Sequence, residues 1–259
     1  MKEFAVGLVL RAGNILMRDF RKLQPEQIRF KKKRELVTKS DLDVDKFMVR
    51  KIKEAFPDYS ILSEEEGFRK KKNSDYMWVI DPLDGTTNYI MRHTYFCITL
   101  ALLKKGEPIL GLIYAPYTRE LFVAEKGKGA YRNEERMHVS NEGNLRDSFL
   151  TFAYSHDKSS LRRAVAAYQQ FEFEARSMRH FGSSALELAF VAAGRVEAQI
   201  ITPPVRIWDV AAGVLMVKEA GGKVTDFHGD PRRIAYNGLV ASNKKVHSKI
   251  LQIIKAKKI

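Results

Sequence analysis

Apolar residues in the first twenty positions recur at helical spacing (Phe4, Leu8, Ile15, Leu16, Phe20). A second helical pattern opens at Ser40-Asp41 and runs through Val44, Phe47, Met48, Ile52 and Phe56. The chain is therefore expected to begin with two helices. After Pro57-Asp58 the pattern shortens into β-rich runs, "YSIL", "YMWVI", "FCITLALL", "PILGLIYAP" and "ELFVAEKG", separated by charged or glycine-containing turns. These predict a meander of strands. From about residue 148 the elements alternate: strand "FLTFA", a helix over 160–171, strand "MRHF", a helix over 183–193, strand "VEAQII", a helix over 209–219, strand "LVAS" and a last helix from about Lys244. This half reads as layered α/β. Neither an internal repeat nor a low-complexity linker interrupts the 259 residues, so one domain over 1–259 is expected, with subdomains of about 1–140 and 141–259.

The periodicity leaves the chemistry open, and charge narrows it only slightly. The formal charge of +14 comes largely from "KKKR" at 31–34, "RKKK" at 69–72 and "KAKK" near the end. A field of that sign favours anionic partners, whether phosphorylated metabolites, nucleic acid or acidic proteins. The single cysteine, Cys97, excludes an internal disulfide and a Cys-based metal cluster, and "YFCITLALL" places it in a buried strand. No apolar run approaches the roughly 18 residues of a membrane helix. A cytoplasmic protein is expected. "GKGAY" at 127–131 lacks the Gly-Lys-Ser/Thr of a phosphate loop and lies between strands, which predicts a hairpin turn.

Carboxylates at three separated places carry more information. In "WVIDPLDGTTN", 78–88, Asp81 ends an apolar strand, Pro82 fixes the backbone, Gly85 permits a sharp reversal, and Thr86, Thr87 and Asn88 can start a helix suited to holding phosphate. "ILSEEEG" ends another strand in Glu64, Glu65 and Glu66, and strand alternation does not decide which of the three points inward. "IWDVAAGVLMV" puts Asp209 in the first turn of a helix apolar nearly all round, hence buried; an N-cap role is the plain alternative. If Glu65, Asp81, Asp84 and Asp209 converge, each like-charge pair at ~4 Å repels by about 1 to 4 kcal/mol depending on the local dielectric. They would have to protonate, separate or hold cations. No lysine or arginine is built into the motifs, and oxygen-only ligation selects Mg²⁺ first, with Mn²⁺ or Ca²⁺ as competitors.

"SEEEG", "DPLDGTTN" and "WDVAAG", in this order and spacing, resemble the inositol monophosphatase family, part of the Mg²⁺-dependent, lithium-sensitive phosphatase superfamily related to fructose-1,6-bisphosphatase. "ELVTKSD" and "GKGAYRN" extend the resemblance over nearly the whole chain. It implies the sugar-phosphatase fold, a phosphoric monoester hydrolase and a homodimer. It also implies two or three Mg²⁺ ions, replaceable by Mn²⁺. Glu65, Asp81 and the Leu83 carbonyl would hold one ion, with the Thr86 hydroxyl nearby; Asp81, Asp84 and Asp209 would hold a second. Asp41 would help a third or orient the attacking water. Catalysis is then by metal-activated water, oriented by Thr86 and Glu65, attacking phosphorus in line. Haloacid-dehalogenase phosphatases also use two aspartates, but two residues apart and near the N-terminus, which this chain does not match.

For substrate binding the resemblance implies Asp84 and the Gly85, Thr86 and Thr87 amides around phosphate, and Gly182, Ser183 and Ser184 of "HFGSSALELAF" around the leaving group, with a helix N-cap as the plain alternative for the serines. Animal-type members carry an inositol-binding glutamate seven positions before the Trp-Asp aspartate, where this chain has Thr202; strict inositol specificity is not expected. Arg206 can meet a second phosphate or a sugar hydroxyl. His93 reads as surface or supporting. The basic runs beside Asp41 and Glu65 are expected to flank the mouth of the site and attract phosphorylated substrate. Some bacterial members associate with RNA and the transcription machinery. That is the alternative function, and nucleic acid the alternative partner, although the chain carries no recognised RNA module.

Overall fold

The computed structural model describes residues 1–32, 35–72, 74–155, 157–231, 238–257 and 259, with the side chain of Lys32 left aside. Two of the four residues of the "KKKR" run, Lys33 and Arg34, lie outside them.

The chain opens with α1 (Lys2–Asp19), β1 (Ile28–Lys32), β2 (Glu35–Thr38) and α2 (Lys39–Ala55). Then come β3 (Ser60–Ser63), β4 (Gly67–Arg69), β5 (Tyr76–Asp84), the short α3 (Thr86–Ile90), β6 (Cys97–Lys104), β7 (Glu107–Ala115), β8 (Glu120–Glu125), β9 (Gly129–Arg132) and β10 (Glu135–Arg136). The second half holds β11 (Phe149–Ala153), α4 (Lys158–Glu174), β12 (Ser177–Arg179), α5 (Ser184–Ala192), β13 (Ala198–Ile201), α6 (Ile207–Glu219), β14 (Lys223–Thr225), β15 (Leu239–Ser242) and α7 (His247–Lys257).

Three apolar clusters fix the layers. The helical stripe Ala5, Leu8, Val9, Ala12 and Leu16 of α1 joins Val44, Met48 and Ile52 of α2 against Trp78, Ile80, Leu100 and Leu112 on one face of a large sheet. The other face of that sheet meets α5 and α6, which are apolar nearly all round because a second sheet covers them from behind. Outside the second sheet lie α4 and α7, through Ala167, Phe171, Ile250 and Ile254. The result is helix, sheet, helix, sheet, helix. Gly111 lets α6 approach the first sheet closely: a Cβ there would lie 2.9 Å from the Ala212 backbone.

The eight-stranded sheet runs β10-β9-β8-β7-β6-β5-β3-β4, and the five-stranded sheet runs β12-β11-β13-β15-β14. The expected meander holds from β5 to β10, all antiparallel, but "YSIL" (β3) pairs parallel to β5 and so reaches the sheet by a crossover. That parallel pairing puts the "SEEEG" turn beside the end of β5. The β1–β2 hairpin is an addition to the expected elements, its alternation masked in the sequence by its lysines. "GKGAY" does form the β8–β9 hairpin. The last helix starts at His247 rather than near Lys244, because Lys244 has φ +76° and Asn243 Oδ1 accepts from Lys245 N and Val246 N ahead of it. Among the described residues no helix is long and apolar enough to cross a membrane.

Candidate active site

The ends of β5, α6 and the "SEEEG" turn meet at one cavity of about 690 Å³. Glu64, Asp81, Leu83, Asp84, Gly85, Thr86, Thr87 and Asp209 line its acidic side; Gly182, Ser184 and Arg206 line the other. Each acidic position has a local cause. Asp81 and Asp84 lie where pairing of β5 with β6 slips between them, so both can face one space. Gly85 then turns the chain at φ +94°, with the carbonyl of Tyr95 only 3.0 Å from where a Cβ would be. Asp209 sits in the first turn of α6 without capping it; the N-cap position is Arg206.

Asp41 is held by the start of α2. Thr38 Oγ1 accepts from Ser40 N and Asp41 N, while Asp41 Oδ2 accepts from Thr38 N at 2.9 Å. Its other oxygen lies 3.1 Å from the Thr86 hydroxyl, whose single proton is shared between Asp41 and the Leu83 carbonyl at 3.0 Å. One turn further along α2, the buried Asp45 accepts from Ser63 Oγ and orders the base of the "SEEEG" turn. A polar residue four positions after Asp41 on the apolar face of a helix was the signal for it.

Glu64 and Glu65 both turn toward this region, while Glu66 turns away to Arg69 at 2.6 Å. Glu65 is the more enclosed, its side chain 5% exposed against 30% for Glu64. The absence of a lysine from the motifs proves misleading in space: Lys31, on β1, puts its ammonium 2.9 Å from Glu64 Oε1 and against Glu65 Oε1. Burial alone would lower the pKa of Lys31, but the two glutamates outweigh it and raise it. The other run behaves differently. Lys70, Lys71 and Lys72 are exposed, and Lys71 lines a separate small pocket with Lys53, Pro57, Tyr59, Ile61 and Arg69. That run does not border the acidic cavity.

The electrostatics are those of buried carboxylates crowded together. Burial, then the charges of Glu64, Asp84 and Asp209, pushes Asp81 well above the ordinary carboxylate range. Burial and then Asp84 do the same to Asp209. Burial raises Asp84 to about 6 although Ser183 Oγ and Ala185 N both donate to its Oδ2 at 2.7 Å. Burial likewise raises Asp41 to about 6 and Glu65 to about 7. Among the described residues no three of these carboxylates already meet at ligand distance around one point. Their oxygens are turned to protein donors: Asp84 to Ser183 and Ala185, Asp81 to Leu83 N, Glu65 to Lys31. The donor set, carboxylates with a carbonyl and a hydroxyl, still fits a hard divalent ion and no softer one.

The opposite wall departs from expectation in two ways. Ser183 is buried; it caps α5 and holds Asp84, so of the Gly182-Ser183-Ser184 set only Gly182 and Ser184 face the cavity. Thr202 is fully buried against Ser160 Oγ at 2.8 Å and does not reach the cavity at all. Instead Tyr154 and His180 line that wall with their rings stacked 5.0 Å apart at 30°, and Trp208 lies beside Arg206. His93 is exposed. Sequence periodicity carried no sign of this aromatic wall.

Two groups set the distance between the walls. Asn88 donates from one Nδ2 to the Tyr95 carbonyl at 2.8 Å and to the Phe181 carbonyl at 2.7 Å. Glu187, fully buried in α5, accepts from the N–H groups of Phe181 and Gly182 at 3.0 and 3.1 Å and from Gln199 at 3.1 Å. A carboxylate inside "ALELAF" is conspicuous in the sequence, yet its target is set by folding. Burial raises its pKa to about 8. Because the folded pKa exceeds the ordinary value near 4.5, the contribution to stability is complete below the latter and is lost as pH rises through the former. Between pH 6.5 and 8 the unfolding free energy should fall, by up to about 1.4 kcal/mol per pH unit from this group. His247, lowered by burial to about 4, acts below its ordinary 6.5 and does not interfere in that window. Urea unfolding of Glu187→Gln without divalent ions should show a flatter pH dependence than the parent; an identical slope would remove Glu187 as the cause.

The sequence profile of the Inositol monophosphatase family matches residues 1–258. The chain belongs to the inositol monophosphatase family. The Nus factor SuhB of Xylella fastidiosa is 37% identical over 265 residues, covering 98% of this chain and 95% of the relative. The fructose-1,6-bisphosphatase/inositol-1-monophosphatase of Thermotoga maritima is 34% identical over 254 residues, covering 97% and 94%. The crystal structure of the extragenic suppressor protein suhB from Bartonella henselae superimposes with a TM-score of 0.93 at 33% identity, covering 98% of both chains. The layered architecture of this family member is therefore the inositol monophosphatase fold.

Proposed function

We propose that this family member is a metal-dependent phosphoric monoester hydrolase acting on inositol or sugar phosphates. The observation that carries the reading is the meeting of Asp81, Asp84, Asp209 and Glu64 with Gly85, Thr86 and Thr87 around one cavity. Two divalent ions, Mg²⁺ first and Mn²⁺ in its place, would be held by Glu65, Asp81 and the Leu83 carbonyl, and by Asp81, Asp84 and Asp209. Bound there, they supply the Lewis acid that polarises the phosphoryl group and lowers the pKa of water. The protein's own part is positional. Asp41 and the Leu83 carbonyl fix the Thr86 hydroxyl, and Ser183 fixes Asp84. The amides of Gly85 to Thr87 hold phosphate oxygens, while Gly182, Ser184 and Arg206 receive the leaving group.

Phosphate release from a panel of sugar, inositol and nucleotide monoesters, with Mg²⁺ and then with chelator, tests the reading. Turnover that survives chelation would overturn it. Among the described residues the leaving-group wall from Ala153 to Ser155 and from His180 to Gly182, with Ser184, Arg206 and Trp208, carries no carboxylate to grip vicinal hydroxyls. Arg206→Ala should therefore raise KM for sugar bisphosphates by roughly 10-fold or more, the scale of a lost charged hydrogen bond, while simple monoesters change little. Equal losses on both would show that Arg206 serves the fold instead.

A second reading is supported by the name of the Xylella relative, a Nus factor, together with the +14 charge and the exposed Lys70–Lys72 run. In it the chain contacts RNA or the transcription machinery, and phosphate release is secondary. RNA binding that weakens steeply with salt and persists in Asp209→Asn would favour it.

A further inference from the structure

Lys31 is the only described cation within bonding distance of the acidic side of the cavity, and it arrives there from a hairpin 33 and 34 residues before its partners. Both contacts are part-buried, with the lysine side chain 23% exposed and Glu65 only 5%. Lys31 and Glu64 themselves line the cavity beside Asp81 and Thr86. An ammonium donates hydrogen bonds and has no lone pair, so it cannot join the ligands of a divalent ion. It can only oppose the ion. A divalent ion on Glu65 must use carboxylate oxygens of which Lys31 engages Oε1, and positive charges at such separations repel.

We propose that Lys31 is a tethered cation that competes with a divalent ion for Glu65. It neutralises the two glutamates when no metal is bound, and metal loading displaces it toward the mouth of the cavity. The competition sets the metal affinity of the site below what its carboxylates alone would give. The bland account of the same contacts is a salt bridge that only holds the β1–β2 hairpin to the "SEEEG" turn. The two accounts differ in sign. Breaking a bridge that serves the fold weakens metal binding or leaves it unchanged, whereas removing a competitor strengthens it.

The inference rests on the proposed metal site, and the test separates the two. Full-length protein is titrated with Mn²⁺ at constant ionic strength, and free Mn²⁺ is read by electron paramagnetic resonance. Lys31→Met should bind Mn²⁺ at least about fivefold more tightly than the parent, and Lys31→Arg, which keeps the charge, should resemble the parent. With chelator, Lys31→Met should melt below the parent; saturating Mn²⁺ should reverse the order. An equal or weaker affinity in Lys31→Met overturns the assignment. A parent chain that takes up no Mn²⁺ overturns it together with the metal reading itself. If Lys31→Met does not fold, reductive ¹³C-methylation of the parent gives a second readout. The Lys31 dimethylamine signal, identified by its loss in Lys31→Arg, should move to the exposed-lysine position as Mg²⁺ saturates. A signal that stays fixed through saturation also overturns the proposal.

Discussion

Asp209→Asn should lower Mg²⁺-dependent phosphate release by more than about a hundredfold, beyond the upper end of what losing an outer partner of a metal ligand costs. The same variant should melt no lower than the parent when chelator is present, and somewhat higher near neutral pH. Both expectations come from one arrangement. Asp209 shares the cavity with Asp81, Asp84 and Glu64, and burial followed by the charge of Asp84 raises its pKa. An asparagine removes one member of a repelling set while keeping its shape and its place in the first turn of α6. Activity and stability therefore move in opposite directions, which a simple packing role would not produce. Measured side by side, near-parent turnover would take Asp209 out of the site, and a collapsed melting temperature would make it a residue of the fold.

The second large effect is expected at Gly85, where no acid is involved. Its φ of +94° is costly for any residue with a side chain, by roughly 1–2 kcal/mol for the left-handed conformation alone. An added Cβ would also stand 3.0 Å from the Tyr95 carbonyl and 3.3 Å from that of Gly182. Relief requires Thr86 and Thr87 to shift, or the Gly182 turn to withdraw. A displacement of an ångström at a reacting centre can cost about 10²-fold in rate. Gly85→Ala should accordingly lose turnover about as severely as Asp209→Asn, but with a lower melting temperature instead of an equal or higher one. Crystallised with inorganic phosphate, it should show a moved 85–87 segment. Full activity would mean that this turn does not position the substrate.

The difference between legible and illegible parts of this chain follows sequence distance. The stripe of α1, the apolar run of β6 and the all-round apolar α6 declare themselves because each is a local periodicity that the layers then satisfy. Asp81, Asp84, Gly85 and Asp209 were readable for a related reason, since a strand end, a sharp turn and a helix start are local signals. Lys31 was not, because its partners lie 33 and 34 residues on and the lysines of β1 hide the alternation of a hairpin. Ser183 showed the limit of local reasoning in another way. It satisfies a helix start as expected, yet its hydroxyl proton goes to Asp84, from 99 residues earlier, and the residue turns out to support an acid rather than face a ligand. Thr202, seven positions before Asp209, differs in kind from the glutamate of animal-type members, and the letter alone does not say where it points. Only the fold, which buries it just after β13 against Ser160 of α4, shows that its side chain does not reach the cavity.

In this chain Asn88 is a lever that stands apart from the acids. One amide nitrogen fastens the turn after β5 to the loop that carries Phe181 and Gly182, so together with Glu187 it gauges the gap between the two walls. Lengthening or shortening that tether would change the width of the cavity while Asp81, Asp84 and Asp209 on the far bank stayed where they are, so the shape of the space and its acidity can be altered separately.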